Sequence, residues 1–512
     1  QIKSAQGIFY GKHNFSFPTH MNYGIYFIER ILNFKDKRAL VNGTTGEEIT
    51  FGHIVREVLN VAASLVELGV RKGDLVAVVS ENRSEVLTAI LAAMCAGASV
   101  TLINSAYTAG EFIHTASITK PKFMFLSPTG YKKHHETLKK LTFVSNILLF
   151  GDSSSKEIIS YNDLANKEAD FTNFVDYYGR VEVALVLYSS GTTGLPKGAK
   201  VTHANLIAAA QQHDFCPDKS ALTLAPLCNT FGLTTTLKAL VNGKMVIHLS
   251  RFKQELFLET IQKYKCGDPW KFGTIFNHAM HPPDVTTIYA ELHFFSRLPN
   301  LRVLQGYGST ETTGPITEET VADHRQGSIG KVVQGIVIKV VDIESRKILG
   351  PGEPGEVCVN GVVLFDGYIG KPKSDVFDDD GFYRTGDIAY YDQDGYFDIG
   401  NVFSLKELIK YKAWQVSPAE IEGVLLKHPA VKDAGVIGAP DPLSGELPTA
   451  FVVKQQGAEV TENDIIEFVS LEVSPWKLLR GGVRFVSEIP KTGSGKILRR
   501  ILREMLKAKS KI

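Results

Sequence analysis

VEVALVLYSSGTTGLPKG, residues 181–198, joins a run of β-branched and apolar residues to a loop of hydroxyls, glycines and one lysine. The apolar half reads as a buried strand, so the loop leaves the end of a sheet, where α/β proteins place their binding sites. Gly191 and Gly194 let the backbone approach phosphate oxygens or adopt positive φ. Ser189, Ser190, Thr192 and Thr193 offer hydroxyl and amide donors, and Lys197 supplies charge. That combination suits a polyphosphate. Pro196 precedes Lys197 and Gly198 follows it, so the loop is not a Walker A motif, which argues against an ordinary P-loop nucleotide hydrolase.

Outward from this loop the chain alternates helix and strand. Ile54, Val55, Val58, Leu59, Ala62, Leu65 and Val66 recur at helical spacing, and DLVAVVS from Asp74 then reads as a strand. The pattern repeats with a helix over 86–96 and the strand ASVTLI, then with FMFLS and NILLF, which predicts a doubly wound α/β sheet. The uncharged run 86–110 is long enough to span a bilayer, but Gly97, Ser99, Asn104, Ser105 and Gly110 favour a buried helix followed by a strand. Residues 331–370 change to short strands broken by Gly and Pro, a β-rich subdomain. After Leu405 come a lysine-rich element, a helix over 417–426, the strand AFVVK and a helix over 463–472, a compact α+β unit. The expected division is a large domain over 1–400 with its β-rich part at about 331–400, a hinge at 401–404 and a small domain over 405–512.

The 512 residues are 44% hydrophobic and 22% charged, with a formal net charge of +1, which gives no reason to expect nucleic acid or an acidic membrane as partner. Five cysteines without CxxC pairing indicate neither a zinc site nor a disulfide framework. The chain begins at Gln1 rather than Met, so a removed signal or tag stays open. Its end, Ser510, Lys511 and Ile512, is similar to the SKL address read by the peroxisomal import receptor, with Ile for Leu; a frayed basic helix end is the other reading. Localisation is expected to be peroxisomal or cytoplasmic.

Further motifs follow in order: GYGSTETTG from Gly306, GEVCVNG from Gly355, YRTGD from Tyr383, LKELIKYKAWQVSPAEIE from Leu405 and PKTGSGKILRR from Pro490. With the loop at 188–198 they resemble the adenylate-forming superfamily of acyl-CoA synthetases, 4-coumarate-CoA ligases and beetle luciferases, over nearly the whole chain. The resemblance implies a large amino-terminal domain of layered α/β sheets and a small mobile α+β domain. It implies ATP, Mg²⁺ and CoA as cofactors and a small carboxylic acid as substrate, joined to the thiol through an acyl-adenylate. By the same resemblance, the loop from Ser189 to Lys197 handles the β- and γ-phosphates, and Gly308, Thr310 and Glu311 lie at the nucleotide, with Glu311 on Mg²⁺. Tyr307 stacks on adenine and Asp387 accepts the ribose hydroxyls. Lys496 bridges acid carboxylate and α-phosphate during adenylation, Lys410 faces the site in the second half-reaction, and the small domain rotates between the steps. Asn229 and Phe231, in PLCNTFGLTT, fall at the acyl pocket.

The chain departs from the pattern in four places. Residues 400–404, GNVFS, replace an Asp-Arg pair, so the ribose-binding arginine is missing. Ala413 stands where the family has Gly, which narrows the route for pantetheine. Asn229 replaces a His, so acid specificity is expected to differ. Between Cys266 and Gly306 no SGGAPL-type loop occurs; His278, His281 and His293 in that segment read as ordinary loop and core residues rather than metal ligands. An acid-thiol ligase is therefore set against a luciferase-like binding protein impaired in catalysis, and against a luciferase proper.

Overall fold

A computed structural model describes residues 2–3, 7–11, 16–153, 155, 157–168, 179–189, 196–212, 220–249, 253–264, 304–320, 322–325, 327–398, 408–412, 414–491 and 497–509. The strands foreseen from apolar runs form a seven-stranded sheet in the order Lys197–Thr202, Val183–Ser189, Ser99–Ile103, Leu75–Val79, Phe123–Leu126, Asn146–Leu149, Ile159–Ser160. All neighbours are parallel except the first pair. LVAVV and FMFL lack alternation because helices cover both faces. The chain steps from Leu75–Val79 to Ser99–Ile103 on one side and then to Phe123–Leu126 on the other, so the sheet has a switch point. Val79, Ile103, Leu126 and Ser189 end on its carboxyl edge.

Helix Phe51–Glu67 packs on helix Ser84–Cys95, in which every residue but Glu85 is buried. This burial on all sides explains why residues 86–110 read as evenly apolar. Among the described residues no helix is long and apolar enough to cross a membrane. The doubly wound expectation is met by one sheet, while Ser220–Thr223, Met245–His248, Arg38–Asn42 and Glu48–Thr50 form a separate four-stranded one. The β-rich part is an antiparallel sheet in which Ile336–Val341, Gly355–Gly361 and Tyr383–Tyr391 are adjacent, and beside it lies a three-stranded sheet led by Gly306–Gly308.

In the small unit, Gly445–Lys454 pairs with Val431–Asp441, Ile409–Tyr411 and Val483–Phe485. Side chains alternate: Val436 and Val452 join the core beneath helices Pro418–Leu425 and Glu462–Glu472, whereas Ile437 and Phe451 meet Leu502 of helix Arg499–Lys509. That last helix is pinned at its start, where the Arg499 Nη2 donates to both Glu422 oxygens at 2.7 and 2.8 Å and Nε donates to the Val436 carbonyl at 3.0 Å. The hinge expected at 401–404 lies outside the described residues, as do most of residues 266–306 and the end Ser510 to Ile512.

Candidate active site

Strand Val183–Ser189 delivers Ser189 to the carboxyl edge of the seven-stranded sheet, where its Oγ donates to Glu311 Oε1 at 2.6 Å. The Tyr368 hydroxyl donates to the same oxygen at 2.5 Å, and the Phe365 amide holds the Glu311 carbonyl at 2.9 Å. Glu311 is only 2% exposed, so it is not a surface carboxylate capping a helix start. Lys197 Nζ stands 5.4 Å from the centre of the Tyr368 ring. Ser189, Lys197, Glu311, Tyr368, Arg384 and Thr385 line a cleft of about 390 Å³.

Behind it the Tyr307 hydroxyl donates to Asp387 Oδ2 at 2.6 Å. The Asp387 amide donates to Thr385 Oγ1, which in turn donates to the Val357 carbonyl, so YRTGD anchors its aspartate through the strand beside it. Burial, reinforced by the Asp387 charge, holds the Tyr307 hydroxyl well above the usual phenol range, so it stays a donor. Tyr307 is 4% exposed and belongs to the same buried cluster as Ile316 and Ala209, which fixes its ring. Gly308 is required by close packing, since a Cβ there would lie 2.6 Å from the Gly314 carbonyl oxygen. Thr310 begins the short 3-10 turn that carries Glu311.

Lys410 lies in strand Ile409–Tyr411, and its backbone N–H donates to Glu446 at 2.9 Å. Burial pushes its ammonium down to about 8 against the opposing charges of Glu446 and Asp387. Across its hairpin Lys410 pairs with Gln415, next to Trp414. Asn229 and Phe231 stand at the start of helix Thr230–Val241 and do not line the Ser189–Glu311 cleft. Ser190, Gly191, Thr192, Thr193, Gly194 and Lys496 lie outside the described residues.

Sequence reading missed two residues. Tyr368, a Gly-flanked aromatic in FDGYIG, carries no charge or nucleophile to mark it. Asn82 lies in the turn after strand Leu75–Val79, and its side chain bridges the loop before Asn229, with Nδ2 donating to the Ala225 carbonyl at 3.0 Å and Oδ1 accepting from the Leu227 amide at 2.7 Å. Gly232 lets the following helix press on that loop, where a Cβ would lie 2.3 Å from the Pro226 carbonyl oxygen.

A buried carboxylate between hydroxyls suits Mg²⁺ carried by nucleotide phosphates, because this ion takes one or two protein carboxylates and keeps its other ligands from phosphate and water. Among the described residues no cluster of three or more His, Cys, Asp or Glu side chains is placed to hold a metal ion.

The layered sheets, the β-rich part, the small α+β unit and this carboxylate at a strand end define an adenylate-forming enzyme. Residues 27–369 match the AMP-binding enzyme family and 420–496 its C-terminal domain, and the chain belongs to that family. It is 36% identical over 505 residues to a luciferin 4-monooxygenase of Nipponoluciola cruciata, covering 92% of this chain and 91% of that protein. It is 33% identical over 523 residues to 4-coumarate–CoA ligase CCL1 of Humulus lupulus, covering 96% and 94%. In fold it is similar to the amide bond synthetase McbA from Marinactinospora thermotolerans, with a TM-score of 0.79 at 24% identity over 95% of this chain and 99% of that one.

Proposed function

We propose that the protein is an ATP- and Mg²⁺-dependent acid-thiol ligase that activates a fatty or aryl carboxylic acid and transfers the acyl group to CoA. The observation that carries this reading is the Glu311 carboxylate, buried at the cleft with Lys197 and held by Ser189 and Tyr368. A carboxylate oxygen of the acid attacks the α-phosphorus of ATP, forming the acyl-phosphate bond as the bond to pyrophosphate breaks. Mg²⁺ at Glu311 would neutralise charge on the phosphates. The loop from Ser189 to Lys197 holds the leaving phosphates, Lys496 stabilises charge at the α-phosphate, and Tyr307 and Asp387 orient the nucleoside. In the second step the CoA sulfur attacks the acyl carbon, AMP leaves and the thiol proton passes to solvent, with Lys410 turned toward the site. Asn229 and Phe231 contribute to acid selection.

The luciferin 4-monooxygenase relative supports a second reading, light emission from an adenylate and oxygen. The missing arginine at residues 400–404 supports a third, a nucleotide-binding protein without adenylation. Pyrophosphate release from ATP and Mg²⁺ across graded aryl and fatty acids separates them, run with and without CoA and beside Lys496→Ala. Release that needs an acid and is lost in the variant supports the ligase; ATP binding without release supports the third reading; light on adding luciferin supports the second. The Ser510, Lys511, Ile512 end supports a peroxisomal address, tested by import of a fusion with and without these residues.

A further inference from the structure

The small domain meets the large one through a buried ionic contact between Glu111 and Lys477, neither of which lies in a motif quoted above. Helix Ala109–Thr119 follows the loop that leaves strand Ser99–Ile103, on the same sheet edge as Ser189, and begins with a capping box in which Glu111 Oε2 accepts the Thr108 amide at 2.7 Å. Glu111 also reaches across to the small domain, accepting from Lys477 Nζ at 2.6 Å and the Ser474 amide at 3.2 Å on Oε1, and from the Ser474 hydroxyl on Oε2. Lys477 Nζ donates as well to Glu420 Oε1 of its own domain at 2.5 Å. The side chains of Lys477, Glu111 and Glu420 are 6–7% exposed. Around them Trp476 stacks on Trp414 at 4.1 Å and meets Tyr107 of the large domain at 6.0 Å, and the Thr108 hydroxyl donates to the Glu472 carbonyl at 3.3 Å.

An aromatic seam alone tolerates sliding. A buried charge pair does not, because any misdocked orientation leaves a charge out of water and unpaired. The desolvation cost of such a pair nearly cancels its attraction, so it specifies one orientation without binding tightly. Each half also has a resident partner when the domains part, since Lys477 keeps Glu420 and Glu111 keeps the Thr108 amide. A contact of this kind suits a domain that must dock in one way and then leave.

We propose that Glu111, Lys477 and Ser474 form a docking latch that fixes the small domain in the orientation in which the hairpin carrying Lys410 and Trp414 packs, through Trp476, against Tyr107 of the large domain. They are thus positioning residues for acyl transfer and not for adenylation. The proposal rests on the ligase reading for its catalytic consequence, though not for the docking itself. The experiment compares the full chain with Glu111→Gln, which keeps the helix cap's acceptor and removes the charge, and with Ser474→Ala as a milder second variant. Acid-dependent pyrophosphate release is expected to stay within twofold in both. Thioester formation from preformed adenylate and CoA is expected to fall tenfold or more in Glu111→Gln and less in Ser474→Ala. Hydrogen exchange in the peptide carrying the Ser474 amide is expected to speed up in Glu111→Gln, with unchanged thermal unfolding of the large domain. An equal loss of both half-reactions, or transfer and Ser474 exchange both unchanged, overturns the latch. If no acid releases pyrophosphate from the parent chain, the ligase reading fails, and the exchange measurement still decides the docking.

Discussion

Tyr368, like Ser189, donates a hydroxyl to Glu311 Oε1, a hydrogen bond to a charged group worth about 1.5–3 kcal/mol. Tyr368→Phe keeps the ring under Lys197 and removes only this donor, so the half-saturating Mg²⁺ concentration for pyrophosphate release should rise roughly tenfold with nucleotide affinity little changed. A Mg²⁺ titration that matched the parent would remove Tyr368 from the account. Lys410 has a different signature. It loses its proton at about 8 in the folded chain against 10.5 in an exposed one, so between these values the unfolded chain binds more protons. The cost of burying this lysine is therefore full below pH 8 and fades as pH rises toward 10.5. Denaturant titrations should show Lys410→Met more stable than the parent at neutral pH and equal to it near the upper value. Acyl transfer should decline above pH 8 as the ammonium discharges, and that limb should move upward in Lys410→Arg, whose charge persists.

Among elements, the loop before helix Thr230–Val241 depends on Asn82 for two hydrogen bonds from more than a hundred residues away. Asn82→Ala should raise KM for the acid about tenfold and leave KM for ATP within about twofold, since each lost hydrogen bond costs about 0.5–1.5 kcal/mol and the loop leads into Asn229 and Phe231, proposed above to select the acid. Parallel rises in both constants would place Asn82 in general stability instead. Helix Arg499–Lys509 hangs on the Arg499–Glu422 pair, and Arg499→Ala takes the cation away from a buried Glu422 that still accepts the Val436 amide. Unfolding should show the small domain destabilised by about 3–5 kcal/mol. The elements themselves were legible wherever burial imposed a simple period. Helix Phe51–Glu67 showed its apolar stripe because one face meets solvent, and strand Leu75–Val79 showed an unbroken run because neither does. The second sheet was not legible, because strands Arg38–Asn42 and Met245–His248 are far apart in the chain and pair only through tertiary packing.

At the scale of the molecule, motif residues announced themselves by chemistry, whereas their supports did not. Ser189 and Glu311 each stand in a recognisable motif, but the hydroxyl of Tyr368 and the bridge of Asn82 acquire meaning only from the fold. The same holds for Glu111, which reads as an ordinary capping carboxylate until Lys477, 366 residues on, is brought against it. Among the described residues the two domains meet through aromatic rings, the Thr108–Glu472 hydrogen bond and the Glu111–Lys477 pair, and the proposed function asks that this contact form and part between two successive steps. The most direct test is a single turnover with ATP, Mg²⁺ and the preferred acid, quenched and read by mass spectrometry before and after CoA is added. An acyl-adenylate that accumulates without CoA, converts to thioester and AMP when CoA is supplied, and is absent in Lys496→Ala is the predicted result. ATP bound and returned unchanged with every acid would contradict the account.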